Sequence, residues 1–384
     1  MKRVMSQQTI AASSGIASDS AFNAVTPPLY LSSTFEFDGF MEPGPYDYSR
    51  GANPTRNLLA ETLARLEQGA GGIVVASGMA ALDLVIAQCA PTDLIVAPHD
   101  CYAGTRRLLL ARSAKSSFSV LFVNQSDKAA MADALAQKPA LILVETPSNP
   151  LMRLTDIAWV AECARQVGAK LAVDNTFLSP VLQTPLVLGA DYVIHSTTKY
   201  LNGHSDIVGG VVIAKSPADV ERLSEWANIT GVSGAAFDAF LTLRGVRTLF
   251  PRVHAQQKTA ASIASFLTEQ PRVRAVHYPG LPGHPDHTLA KQQQAGFGAM
   301  LSFDLDGTID DVGVFLRALG IFTLAESLGG TESLIAHPAS MTHVSMDPAS
   351  RLEVGITPTL LRLSVGLEDE QDLLKALEDA FTAL

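Results

Sequence analysis

Residues 71–98, GGIVVASGMAALDLVIAQCAPTDLIVAP, contain two short apolar runs, GGIVVA and DLIVAP, on either side of a stretch with helical character. Five more runs of this kind follow, and most are again separated by helix-like stretches. They are SVLFV, ALILVE, KLAVD, DYVIH and GGVVIA. Continuous apolar strands that alternate with helices form parallel sheets that are buried on both faces. The chain is therefore predicted to be an α/β protein, with a mostly parallel sheet covered by helices on both faces.

The sequence changes character on either side of this region. Residues 1–55 are rich in Ser, Pro, Gly and aromatic residues, which indicates an extended arm with turns rather than a helix. A helical period of leucines begins at Thr55, and after Leu249 helices alternate with the strand-like runs AMLSFDL and LLRLSVG. We expect an N-terminal arm over 1–55, an α/β domain over 56–248 and a smaller α+β domain over 249–384.

The composition excludes several classes of partner. Of the 384 residues 47% are hydrophobic and 17% charged, as in a globular protein, and the formal net charge is -10. Without a dense cluster of Lys and Arg, a nucleic acid or an anionic membrane is not expected as a partner. The three cysteines form no Cys-x-x-Cys pair, and no run of about 18 apolar residues occurs. These features favour the cytoplasm.

Polar groups follow the apolar runs, at the sheet edge where ligands bind in open parallel sheets. After the first run, the Ser-Gly step of SGMAAL opens a helix whose free N–H groups can hold an anion such as phosphate. Later runs are followed by an aromatic ring, an amide, a carboxylate, hydroxyls and an amine. These groups belong to Tyr102, Asn149, Asp174, Ser196, Thr198 and Lys199.

Each of these groups has an ordinary explanation when taken alone. A lysine is usually a solvated surface residue, Ser-Gly is a common helix cap, and an aspartate often closes a strand with a turn. Their convergence on one edge favours a functional site. An amine, a carboxylate and an anion cradle are what pyridoxal phosphate requires for covalent attachment, ring protonation and phosphate binding. Lys199 must lose a proton to react, and partial desolvation near other cations lowers the pKa of an amine.

Five segments identify a family resemblance. HSTTKYLNGHSDIVGG, VETPSNP, VDNTFLSP, YSRGANPT and LAESLGG together resemble the Cys/Met-metabolism family of fold-type I pyridoxal phosphate enzymes. The similarity extends from about residue 8 to the end of the chain. It implies the fold-type I architecture, pyridoxal 5'-phosphate as cofactor, amino-acid substrates and a homotetramer built from dimers that share active sites.

The resemblance also implies roles for individual residues around the cofactor. Lys199 corresponds to the Schiff-base lysine, Asp174 to the partner of the pyridine nitrogen, and Tyr102 to the ring stacked on the cofactor. Asn149 corresponds to the contact of the phenolic oxygen. The phosphate contacts implied within one subunit are Gly78, Met79, Ser196 and Thr198, and those implied from a neighbouring subunit are Tyr48 and Arg50.

Four further residues are implied on the substrate side, where Asn149 is implied as well. Arg362 matches the arginine that binds the substrate α-carboxylate, a role suited to a planar fork of donors, although an interdomain ion pair is the alternative. The resemblance implies that Ser327 lies beside that pocket, where its backbone helps to position the substrate. Glu326 matches an acid of the family members with γ-chemistry, and Arg107 matches a basic group for a distal substrate carboxylate.

The family divides among β-elimination, γ-elimination and γ-replacement. Glu326 and Arg107 favour γ-replacement, in which cysteine displaces the acyl group of O-succinyl- or O-acetylhomoserine to give cystathionine in methionine biosynthesis. Relatives that prefer the succinyl ester resemble YSRRGNPT, whereas this chain has YSRGANPT, with Gly51 in place of the second arginine. The missing arginine could remove a charged hydrogen bond to the substrate worth about 1.5 to 3 kcal/mol of binding free energy. The acetyl ester, sulfide as acceptor, and elimination from cystathionine therefore stay open. Methionine γ-elimination is disfavoured, because Cys101 precedes Tyr102 rather than following it.

Rival functions have weaker support. STTK fits the Ser-x-x-Lys pattern of acyl-serine enzymes, with Ser196 as nucleophile, but the companion Lys-Thr-Gly is absent. Neither a dinucleotide fingerprint nor a P-loop follows the first strand. His277, His284 and His287 lie among prolines and glycines at spacings that fit no standard metal site, so we expect a surface loop and no metal.

Overall fold

The structure is a computed structural model that describes residues 5–344 and 346–384. It begins with a short helix, α1 (Gln7–Ser13), which the side chain of Ser6 caps and which packs against the next helix. The prediction that the arm lacks helix is therefore wrong for this segment. Residues 14–53 contain no helix or strand and are held by isolated bridges such as Thr34 to Tyr48, and α2 begins at Pro54, just inside the predicted end of the arm.

Seven of the apolar runs form one sheet, in the order β1-β7-β6-β5-β4-β2-β3. All seven runs that were predicted to be strands are confirmed. The strands are β1 (Gly71–Val75), β2 (Leu94–Pro98), β3 (Ser119–Val123), β4 (Leu141–Glu145), β5 (Lys170–Asp174), β6 (Tyr192–Ser196) and β7 (Gly210–Ala214).

The strand directions confirm a mostly parallel sheet with one exception. β2 to β6 run parallel to one another, whereas β7 lies antiparallel between β1 and β6. No helix separates β6 from β7, and an antiparallel neighbour needs no crossover helix.

Helices cover both faces of this sheet, as predicted. Two apolar clusters result, one on each face, and the larger continues into the C-terminal part of the chain through residues such as Phe303. The helices are α2 (Pro54–Glu67), α3 (Gly78–Ile86), α4 (Ala103–Ser113), α5 (Lys128–Ala136), α6 (Ile157–Val167), α7 (Ser179–Leu182), α8 (Pro217–Thr230) and α9 (Ala236–Val246).

The C-terminal part contains a second sheet of five strands, in the order β10-β11-β12-β9-β8. Its strands are antiparallel except for the pair β10 and β11. The strands are β8 (Val273–His277), β9 (Met300–Leu305), β10 (Thr323–Leu324), β11 (Leu334–Ala336) and β12 (Leu360–Ser364), and the helices are α10 (Leu249–Thr268), α11 (His287–Gln293), α12 (Ile309–Ala318), α13 (Pro348–Glu353) and α14 (Glu370–Thr382).

The last helix shows how sequence pattern produces this packing. Leu373 and Leu377 of α14 are completely buried, one turn apart, and Asp369 caps the first turn by accepting from the N–H of Gln371. Within residues 5–344 and 346–384, no helix combines the length and hydrophobicity needed to cross a bilayer.

Candidate active site

A cavity of about 260 Å³ lies at the carboxyl ends of the strands of the large sheet and is closed by β12 of the small sheet. This is the edge at which the sequence predicted a ligand site. The predicted residues that line the cavity are Gly78, Met79, Tyr102, Asn149, Asp174, Ser196, Thr198, Lys199, Glu326, Ser327 and Arg362.

The Lys199 side chain is held inside the cavity rather than in solvent. It leaves the turn after β6, and its Nζ donates to the Ser327 hydroxyl at 2.6 Å. Burial, together with the positive charge of Arg362, lowers the pKa of Lys199 to about 8. Near neutral pH the amine therefore loses its proton far more readily than a surface lysine, as covalent attachment to an aldehyde requires.

Two carboxyl groups lie side by side where β4 and β5 end. Glu145 and Asp174 are paired in the register of these strands, and both line the cavity. Burial raises the pKa of Asp174, although the side chain and N–H of Thr176 oppose this by hydrogen bonding to it. Burial and the neighbouring Asp174 raise the pKa of Glu145 to about 8. Two adjacent buried carboxyl groups resist ionising together, and a protonated ring nitrogen would favour the ionised form of one of them.

The start of α3 forms an open anion cradle. Ser77 caps the helix by accepting from Ala80 at 3.0 Å, and the first N–H groups of a helix have no partner within it. A Cβ atom at Gly78 would lie 2.7 Å from the Cβ of Ser196, so only glycine allows this helix start to approach the turn after β6. The Thr198 hydroxyl faces the same space, where it also accepts from the N–H of Gly209 at 3.0 Å.

The ring of Tyr102 lies at the start of α4 and remains 42% exposed. A Cβ at Gly104 would be 2.4 Å from this ring and 3.0 Å from the sulfur of Met79, so glycine leaves room for both side chains. The backbone N–H of Tyr102 donates to Glu145 at 2.9 Å. An accessible aromatic face next to the cavity is suited to stacking on a flat ligand.

The guanidinium of Arg362 is buried at the opposite wall. Nη1 donates to the Asn149 side-chain oxygen at 2.9 Å and Nη2 to the backbone oxygen of Ser327 at 3.0 Å. Nε is buried without a partner in the described chain, and burial lowers the pKa of Arg362 to about 10. Arg362 forms no salt bridge with any described residue.

Three predicted residues lie outside this cavity. Arg107 lines a neighbouring cavity of about 370 Å³, together with Arg106 and Asp347. Tyr48 and Arg50 are exposed, with the Arg50 guanidinium 5.3 Å from the centre of the Tyr48 ring and its Nε donating to Asn228 at 3.0 Å. None of the three contacts the cavity of its own chain.

Several lining residues were not predicted. Glu145 ends the run ALILVE just as Asp174 ends KLAVD, and the same logic could have found it. Thr342 comes from the loop after β11 and carries no signal in the sequence. The remaining lining residues are Ser77, Leu82, Thr105, Pro147, Thr176, Phe177, Val208 and Leu328.

The sequence is similar to known proteins over nearly its whole length. The model of the Cys/Met metabolism PLP-dependent enzymes matches residues 8–382. The chain belongs to this family. It is therefore a pyridoxal-phosphate-dependent enzyme with the fold-type I architecture, as the resemblance implied.

Individual members of the Cys/Met metabolism family are similar over almost their whole length. The cystathionine gamma-synthase of Escherichia coli K12 is 54% identical, with 98% of each chain covered. The cystathionine gamma-lyase of Bacillus subtilis 168 is 43% identical, covering 98% of this chain and 99% of the relative. A crystal structure of cystathionine gamma-synthase from Xanthomonas oryzae pv. oryzae in complex with cystathionine superposes with a TM-score of 0.98, at 52% identity and 99% coverage of each chain.

The cavity fits the cofactor of the Cys/Met metabolism family. It offers an amine with a lowered pKa at Lys199, a carboxyl group at Asp174, and a helix start at Gly78 that excludes any side chain. These three features match the aldehyde, the ring nitrogen and the phosphate of pyridoxal phosphate.

Proposed function

We propose that the enzyme catalyses γ-replacement, in which cysteine displaces the acyl group of O-succinyl- or O-acetylhomoserine to give cystathionine for methionine biosynthesis. The observation that carries this proposal is the link between Lys199 and Arg362 through Ser327 in one cavity. It places a mobile proton carrier next to a binding group for an α-carboxylate. The similarity to relatives named cystathionine gamma-synthase, one of them solved with cystathionine, supports the reaction.

We propose that Lys199 bonds to the cofactor aldehyde, Asp174 pairs with the ring nitrogen and Tyr102 stacks on the ring. When bound, pyridoxal phosphate supplies an electron sink for carbanionic charge. Asn149 contacts the phenolic oxygen of the cofactor. The phosphate contacts proposed are Gly78, Met79, Ser196 and Thr198.

The substrate groups are assigned to the opposite wall. Arg362 binds the α-carboxylate, because it lines the cavity and its planar guanidinium is suited to a carboxylate. Asn149 and Ser327 hold the guanidinium in place. Lys199 removes the α-proton and then a β-proton, and a pKa of about 8 lets it act as both base and acid near neutral pH. Glu326, which lines the cavity next to Ser327, lies on the substrate side.

The distal end of the acyl group is assigned to the neighbouring cavity that Arg107 lines. Arg107 is proposed to bind a distal carboxylate from the neighbouring cavity. Gly51 supplies no second cation, so the acetyl ester stays a candidate. Sulfide as acceptor, and elimination from cystathionine by γ- or β-lyase chemistry, are the alternatives, and the similarity to named lyases keeps elimination open.

We further propose that the arm over 1–55 completes the site of a neighbouring subunit in a homotetramer built from dimers. Phe22 and Phe40 of this arm are 88% and 93% exposed, which is unusual for large apolar side chains unless a partner covers them. Tyr48 and Arg50, which lie outside their own cavity, would then contact the cofactor phosphate of the neighbour.

The division into domains at 56–248 and 249–384 is also proposed, and the two separate sheets support it. The cytoplasm is proposed as the compartment. All three cysteines are free, which suits a reducing environment.

Product analysis tests the reaction. The purified enzyme, loaded with pyridoxal phosphate, is incubated with succinyl- or acetylhomoserine, with and without cysteine. Cystathionine formed only with cysteine is the expected result. Mainly 2-oxobutanoate and ammonia, or homocysteine formed only with added sulfide, would reject the proposal in favour of elimination or of sulfide replacement.

A further inference from the structure

Glu145 bridges two segments that carry functional side chains. Its Oε2 accepts from the backbone N–H of Tyr102 at 2.9 Å, and its Oε1 accepts from the backbone N–H of Asn149 at 3.1 Å. Tyr102 is 43 residues away along the chain, so one carboxyl group joins the loop after β2 to the turn after β4. The side chain is 9% exposed and lines the cavity.

The segment that carries Tyr102 depends on this contact. Tyr102 is the N-cap residue of α4, and its side chain makes no capping hydrogen bond. The N–H groups at the start of a helix have no partner within it, and a side-chain oxygen that accepts from one of them stabilises the helix start. Glu145 therefore caps α4 from a different part of the chain. By holding the backbone of Tyr102, it fixes the position from which the ring projects.

A second tie between the same segments does not replace this contact. The Ser148 hydroxyl donates to Asp100 at 3.0 Å, and Arg153 contacts the same carboxylate at 3.1 Å. These groups hold the two segments together outside the cavity, because neither Asp100 nor Ser148 lines it. Of these ties between the two segments, the Glu145 contacts are the ones made directly with residues that line the cavity.

We infer that Glu145 is a positioning residue, whose two oxygens fix the separation between the Tyr102 ring and the Asn149 amide across the cofactor cavity. The inference rests on the proposed roles of Tyr102 and Asn149, but not on the identity of the substrate. Losing either contact would free one wall of the cavity and weaken the hold on a flat ligand between them.

Glu145→Gln is the sharpest test, because the carboxamide keeps the shape of the side chain but has only one acceptor oxygen. Its NH2 group would face one of the two N–H donors. Glu368→Gln is the matched control: Glu368 also clamps a backbone segment, through the N–H and hydroxyl of Ser333 at 2.6 and 2.7 Å, but does not line the cavity.

The first measurement is amide hydrogen exchange on the cofactor-free proteins. In Glu145→Gln, peptides covering 99–105 and 145–151 are expected to exchange about tenfold faster. Glu368→Gln should leave both peptides at the wild-type rate. Unchanged exchange in both peptides of Glu145→Gln would overturn the inference.

The second measurement is binding of pyridoxal phosphate, followed by absorbance and by visible circular dichroism of the bound cofactor, which reports the orientation of its ring. Glu145→Gln should raise the dissociation constant about tenfold and alter the dichroism, whereas Glu368→Gln should change neither. Faster exchange with unchanged affinity and dichroism would overturn the positioning role. Neither measurement uses a substrate, so failure of the proposed γ-replacement would leave both results unaffected.

A second variant keeps the inference testable if Glu145→Gln does not fold. Glu145→Asp retains the carboxyl group but is one methylene shorter, so it cannot reach both N–H groups. The same direction of change is expected in exchange, affinity and dichroism. Wild-type behaviour of Glu145→Asp in all three would contradict the inference.

Discussion

The amine of Lys199 donates to the hydroxyl of Ser327 at 2.6 Å. The backbone oxygen of the same serine accepts from Arg362, so one residue orients both the proposed proton carrier and the proposed carboxylate-binding group. Ser327 has a φ of 85°, a region in which a residue other than glycine is strained. Such strain is found where surrounding contacts hold a residue in a functional position.

Ser327→Ala separates these two functions. The substitution removes the acceptor for Lys199 but leaves the backbone oxygen that holds Arg362. We expect kcat to fall about tenfold with little change in KM, because proton transfer is affected more than substrate binding. Steady-state kinetics test this, with Ser262→Ala on α10 as the control. A rise in KM at constant kcat would instead show that the hydroxyl serves binding.

Lys199→Met is expected to stabilise the cofactor-free enzyme. Lys199 has a pKa of about 8 in the folded chain against 10.5 when unperturbed, so the folded state binds fewer protons between these values. The cost of burying the charge is complete below pH 8 and disappears as the pH rises towards 10.5. Near neutral pH the variant should gain on the order of 2 kcal/mol in unfolding free energy.

The measurement compares unfolding of the two cofactor-free proteins at neutral and at alkaline pH. The stability difference should shrink at alkaline pH. Lys170→Met is the control of opposite sign, because hydrogen bonds to Asp191 and Asp219 at 3.1 Å raise the pKa of Lys170 above its usual value, despite partial burial. A gain that is independent of pH would contradict the lowered pKa of Lys199.

Arg362→Lys tests the carboxylate-binding role. Lysine cannot reproduce the fork that contacts Asn149 and Ser327 and still offers a donor to the cavity. Losing a charged hydrogen bond of about 1.5 to 3 kcal/mol predicts a tenfold or greater rise in KM for the amino-acid substrate. Arg252→Lys is the control, since Arg252 is also buried and donates to a backbone oxygen but does not line the cavity. Equal effects in both variants would indicate a purely structural role.

The strands were predictable because each is a short apolar run, but the direction of β7 was not. An apolar run reports burial on both faces and contains no information on whether neighbours run parallel. The helix α1 was missed because seven residues carry too little periodic pattern, and packing on α2 stabilises it instead. The local sequence therefore predicts whether a segment forms a strand better than it predicts the direction in which that strand pairs with its neighbours.

The residues of the candidate site also divide into those whose position the sequence predicts and those whose position depends on packing. Asp174 ends β5 and Lys199 lies in the turn after β6, and the sheet edge fixes where such residues meet. Arg107 lies on α4, where neighbouring positions face different cavities: Thr105 lines the main cavity and Arg106 the adjacent one. The rotation of a helix about its axis depends on how the helix packs against the rest of the protein. The sequence motif around Tyr102 carries no information about this packing.

Gly51→Arg is expected to shift the acyl preference towards the succinyl ester. A Cβ at position 51 would have ordinary contacts, 3.6 Å from the Tyr48 backbone oxygen and 4.0 Å from Asn228, so the substitution is tolerated. The new guanidinium could pair with a distal carboxylate and change the ratio of kcat/KM values for the two esters about tenfold or more. Gly283→Arg, at a position with open space around it, is the control. An unchanged ratio would argue against Gly51 as a determinant of acyl choice.

Subunit mixing tests whether the arm completes a neighbouring site. Lys199→Met and Arg50→Ala should each be nearly inactive alone. If Arg50 acts in the neighbour's cavity, a hybrid dimer contains one site with both native residues, and mixing after dissociation should restore part of the activity. Mixing Lys199→Met with Asn149→Ala should restore none, because both residues line the cavity of their own chain, so no hybrid site is intact. No rescue in the first mixture would contradict the proposal that Arg50 acts in the cavity of a neighbouring subunit. Rescue in the second mixture would show that the recovered activity does not come from shared sites, which would equally remove the support for the proposal.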